Sequence, residues 1–99
     1  MTMLDRSTIP AALQLRVGDT VEVSLDAQTG AGYTWNADTS GHVDLTHSFS
    51  PGPDIGSPAA QIFRITALTP GDEQLRFVYC RAWQADHVLD EFEVVIHIA

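Results

Sequence analysis

Residues 20–26 alternate apolar and polar side chains one by one, and this two-residue period constrains the chain more than any other feature. Val21, Val23 and Leu25 fall on one face, and Thr20, Glu22 and Ser24 on the other, the spacing of a half-buried strand. Less strict versions recur at residues 12–17, 33–37, 43–49, 61–68, 74–81 and 89–98. On these runs Phe63, Ile65 and Ala67 share one face, as do Leu75, Phe77 and Tyr79, and Phe92, Val94, Ile96 and Ile98. On 43–49 the alternating set is Val43, Leu45, His47 and Phe49. Turn chemistry separates the runs: Gly18-Asp19, Asp38-Thr39-Ser40-Gly41 and Thr69-Pro70-Gly71-Asp72. No stretch carries the 3.6-residue period of an amphipathic helix.

Seven short strands with regularly spaced turns predict an all-β, seven-stranded antiparallel immunoglobulin-like β-sandwich. Cys80 is the single cysteine, so the disulfide of antibody domains has no counterpart. The chain has 99 residues, a length that fits one domain. Residues 1–10 read as a flexible leader and 11–99 as the sandwich. The leader has no apolar signal core, so the expectation is a cytoplasmic chain or one from which a signal has been removed. No apolar run is long enough to span a bilayer, and no membrane partner is expected.

Net charge is −8, from 13 acids and five bases. A phosphate backbone is bound through Lys and Arg, so nucleic acid is not an expected partner; a neutral or basic one suits this surface. His42 and His47 are five apart and point to opposite faces of a strand, which makes no metal site, and neither cofactor nor metal is expected. Cys80 with His87 lacks the positioned third group of a nucleophilic triad, and Cys80 reads as a small buried or half-buried side chain. No phosphate loop or nucleophile elbow occurs, so an enzyme is not expected.

The marked chemistry lies in the loops after strands two, four and six, at residues 27–32, 50–59 and 82–87, and alternate loops of a sandwich emerge at one end. The first holds Gly30 and Gly32 and runs into Tyr33 and Trp35, which share a strand face, with Trp35 placed in the core. The second holds Pro51, Pro53 and Pro58 with Gly52 and Gly56, which restrict it without making it regular. The third opens with Arg81-Ala82-Trp83, Trp83 being placed for contact.

Together these loops resemble the chagasin-like inhibitors of papain-type cysteine proteases, over roughly residue 17 to the C-terminus. That family carries N-P-T-T-G-Y-x-W, G-x-G-G and R-P-W in its three loops. Here Gly32-Tyr33-Thr34-Trp35 keeps the Gly-Tyr-x-Trp of the first, Gly56-Ser57-Pro58-Ala59 keeps the first glycine of the second, and Arg81-Ala82-Trp83 keeps two of three in the last. The resemblance implies a free monomer that enters the cleft of a papain-like cysteine protease as a three-loop wedge and blocks it reversibly, without chemistry of its own. It implies contact through Thr29, Gly30, Ala31, Gly32 and Tyr33, through Gly56, Ser57, Pro58 and Ala59, and through Arg81, Ala82 and Trp83. The rival expectation is a non-inhibitory immunoglobulin-like module for adhesion or carbohydrate binding, with Tyr33 and Trp83 as a sugar platform.

Overall fold

Val21, Val23, Leu25 and Ala27 are all buried, so the alternation that marks this run decides its inward face. A computed structural model describes residues 2–39, 41–50, 58–84 and 86–99. Eight strands are present among them: β1 (Thr2–Asp5), β2 (Ala12–Leu15), β3 (Thr20–Ala27), β4 (Tyr33–Asp38), β5 (Val43–Ser50), β6 (Ala59–Ala67), β7 (Gly71–Arg81) and β8 (Asp90–Ile98). They form two four-stranded sheets, in the orders β1-β3-β6-β5 and β2-β8-β7-β4. The molecule is an all-β, immunoglobulin-like sandwich.

The core lies between the sheets. Val23, Leu25, Phe63 and Ile65 from one meet Leu75, Phe77, Val94 and Ile96 from the other. Phe63 and Phe77 join the layers edge to face, with ring centroids 5.1 Å apart. Each such side chain contributes roughly 1.5–3 kcal/mol by leaving water.

Four details depart from the sequence expectation. The strands number eight rather than seven, because residues 2–5, expected in a loose leader, pair with β3 as β1. The sandwich is not purely antiparallel: β1 runs parallel to β3, and β2 runs parallel to β8. A turn at Asp5 separates the two pieces. The Asp5 carbonyl accepts from Ile9 N at 2.8 Å, and its carboxylate accepts from Ser7 N at 2.9 Å and Thr8 N at 3.0 Å. The chain thereby leaves one sheet and joins the other. On β5 the inward face ends early, with Val43 buried but His47 and Phe49 exposed, since β5 is an edge strand. Val17 and Leu68 lie beyond their strands and are also exposed.

Candidate functional site

Strand register brings three connections to one end. Ala27 at the end of β3 lies opposite Ala59 at the start of β6, and Ser50 at the end of β5 lies opposite Ala60. In the other sheet Tyr33 at the start of β4 lies opposite Arg81 at the end of β7, and Tyr79 lies opposite Asp90 at the start of β8. The strand ends that bound residues 28–32, 51–58 and 82–89 therefore lie at one end of the sandwich.

The first connection is a single 3-10 turn, Thr29–Ala31. The Gln28 carbonyl accepts from Ala31 N at 3.0 Å and from Tyr33 N at 3.1 Å, which closes the loop on itself. Gly32 ends the turn at φ 85°, a left-handed conformation that side chains resist. A β-carbon at Gly32 would also lie 2.3 Å from Trp83 Cη2. Gly30 carries neither requirement, with open space around it.

The third connection begins with the 3-10 turn Ala82–Gln84. Its Trp83 is 70% exposed, although the edge of its six-membered ring rests on Gly32. Arg81 ties this loop to the first. Its Nε donates to the Ala31 carbonyl at 2.8 Å, its guanidinium lies 4.4 Å over the Tyr33 ring, and it is 5.8 Å from the Trp83 ring centroid. A hydrogen bond from a charged donor, with a cation–π contact on the same group, is worth roughly 2–4 kcal/mol. The cost of ordering the two loops is thus largely met before any partner arrives.

Beneath the loops, Trp35 is 4% exposed and stacks on Tyr79 at 4.9 Å. Its Nε1 donates to the Asp26 carbonyl at 3.0 Å, and the Tyr79 hydroxyl accepts from Gln28 N at 2.8 Å. These side chains pair backbone groups at the end of β3 and just past it, where β1 no longer runs beside the chain. The buried Gln61 holds Trp35 from the opposite sheet: Gln61 Nε2 donates to the Trp35 carbonyl at 2.8 Å, and Gln61 Oε1 accepts from Trp35 N at 2.7 Å. No motif in the sequence marks Gln61. Its signal was its parity with Phe63 and Ile65, which marks a polar residue on an inward face.

The anticipated contact residues divide accordingly. Thr29, Gly30 and Ala31 are exposed on the first turn, Gly32 and Tyr33 are half-buried behind it, and Trp83 projects beside them. Pro58 is exposed. Ala59 is 8% exposed and pairs with Ala27, so its methyl group is turned inward and offers a partner little side-chain surface. Ala82 opens the 3-10 turn. Gly56 and Ser57 lie outside the described residues. Cys80 is buried on β7, and a platform of free Tyr33 and Trp83 rings is opposed by Arg81, which covers Tyr33.

The sequence matches the chagasin family, peptidase inhibitor I42, over residues 14–98. The chain belongs to this family of inhibitors. No curated protein gives a significant match. Among solved structures, the chain is similar to the cysteine protease inhibitor EhICP2 from Entamoeba histolytica, with TM-score 0.86 and 19% identity over 98% of this chain and 94% of that one. It is also similar to amebosin, with TM-score 0.79 and 19% identity over 99% and 97% of the two chains. PbICP-C, solved in complex with falcipain-2, aligns over 100% of both chains with TM-score 0.76 and 15% identity. At these identities the likeness is one of fold, and it extends the chagasin-family architecture across the whole chain.

Proposed function

We propose that this protein inhibits papain-type cysteine proteases reversibly, its first loop lying over the catalytic groups of the cleft and the second and third flanking it. The observation that carries this reading is the Arg81 clamp: it locks the Thr29–Ala31 turn against the third loop while leaving Trp83 outside. An exposed tryptophan beside a preorganised, glycine-bearing turn has the character of an interface hot spot. Three adjacent loops can cover the roughly 800 Å² per partner of a standard interface. The closed first turn, tied by hydrogen bonds at both ends, resists being drawn through the cleft as an extended substrate, so the inhibitor survives the encounter uncleaved.

Titration against a panel of papain-type proteases tests the proposal. Reversible, stoichiometric loss of activity with recovery of intact inhibitor is expected for at least one member. No effect on any member at micromolar inhibitor defeats it.

A further inference from the structure

Beside the loops, on the flank where β1 stops short, an open groove of about 810 Å³ runs between the sheets. Trp35 and Tyr79 form part of its lining, and Met3 and Leu89 stand along it 54% and 61% exposed. It continues directly from the loop end. Leu89 N donates to the Tyr79 carbonyl at 2.9 Å, and Asp26 is the residue before the end of β3. Its charge is negative: Asp5, Asp26 and Asp90 line it against a single base, Arg6. Arg6 is already engaged, with its Nε donating to Asp90 at 3.1 Å and its guanidinium 4.4 Å over Phe92. Asp5 Oδ1 accepts from the backbone and hydroxyl groups of both Ser7 and Thr8, which ties that carboxylate to its own turn. The exposed Asp26 carboxylate makes no hydrogen bond or ion pair among the described residues.

Resting on the inhibitor reading above, we infer that this groove is a second contact site for the same protease and takes a lysine or arginine side chain from the rim beside its cleft. The aliphatic stem of such a residue packs along Met3 and Leu89, and its cationic head meets Asp26. Addition of a backbone strand is the poorer fit, because the Asp26 carbonyl and the Gln28 amide on this edge are already bonded to Trp35 and Tyr79. The site therefore reads a side chain, and it discriminates among proteases by the charge at their rim where the loops read the shared cleft.

The test compares inhibition constants of the wild-type protein and the Leu89→Ser, Asp26→Asn, Asp26→Lys and Trp83→Ala variants across the protease panel, at low and high salt. All three positions are exposed, and thermal unfolding confirms that each of the four variants folds. The groove changes are expected to weaken inhibition about tenfold for proteases with a basic rim, Asp26→Lys most, with little effect on the others. The Asp26 effects shrink as salt screens the charge, and Trp83→Ala weakens inhibition throughout. If both Asp26 variants and Leu89→Ser inhibit every member as the wild type does, while Trp83→Ala does not, the groove is not a contact site and the three-loop reading stands alone. If the wild-type protein inhibits nothing, the functional reading fails and takes the groove with it.

Discussion

Gly32 and Trp83 are coupled across two loops: a β-carbon at position 32 would sit 2.3 Å from Trp83 Cη2, at a backbone φ of 85°. Conformation and contact therefore both demand glycine there. Gly32→Ala is expected to lower stability by about 1–2 kcal/mol and to shift Trp83 emission as the ring is displaced. Adding Trp83→Ala relieves the contact but not the backbone strain, so the double variant recovers only part of the loss. Full recovery in chemical denaturation would show that the contact alone matters.

The two tryptophans separate folding from binding. Trp35 is 4% exposed and Trp83 is 70% exposed. Trp35→Ala is expected to cost about 3–5 kcal/mol, read as a sharply lower Tm, because it also frees the Asp26 carbonyl and unstacks Tyr79. Trp83→Ala stays within about 1 kcal/mol of wild-type stability and weakens protease binding by about 2 kcal/mol or more. The opposite pattern in thermal melts and inhibition assays would reverse the assignment of core and binding end.

Gln61 satisfies both backbone groups of Trp35 from the facing sheet. Gln61→Leu keeps the volume and removes both bonds, leaving a buried donor and acceptor without partners. A loss of about 2 kcal/mol or more is expected, with faster hydrogen exchange at the Trp35 amide. Unchanged protection at that amide would mean water or a neighbour replaces the glutamine at little cost.

Loop stiffness can be raised at two positions. Gly30 has open space for a side chain. Ala82 begins a 3-10 turn straight after a strand residue, a position compatible with proline. Gly30→Thr with Ala82→Pro is expected to tighten inhibition about tenfold, from roughly 0.5–1 kcal/mol at each site. Weaker inhibition by the double variant would mean that these loops must adjust on binding.

Acid acts on the N-terminal turn and its clasp to β8. Hydrogen bonds from Ser7 and then Thr8 hold the Asp5 carboxyl below its ordinary range, and the bond from Arg6 does the same for Asp90. Both values are depressed in the folded state, so their contribution is complete above the unfolded carboxylate value near ~3.9 and is lost as pH falls through the lower folded values. Asp5→Asn and Asp90→Asn should therefore show lower Tm than wild type at pH 7 and a flatter dependence of Tm on pH below about 4. Parallel Tm–pH curves for the variants and the wild type would remove the turn from the acid response.

Period-two alternation is a local property, and it was enough to identify the strands from β2 onward, the inward faces of β3, β6, β7 and β8, and the burial of Trp35. Because successive loops of a sandwich alternate between its ends, loop order also implied that the strand ends flanking the three marked connections lie together. The rest depended on partners far away in the chain. Nothing near Thr2–Asp5 announces a strand, since its pairing is supplied by β3. Gln61 and Glu73 share the parity of their apolar neighbours and are fully buried, and for Gln61 the partner is a backbone 26 residues away. Of two glycines in one turn, only Gly32 is constrained, because only it meets Trp83. Arg81 looked like a contact residue, and its hydrogen bond to the Ala31 carbonyl spans 50 residues. An alternating pattern states which side of a strand is dry, whereas the bonds that order a loop end depend on which strands become neighbours, and that is settled only when both sheets close over one core.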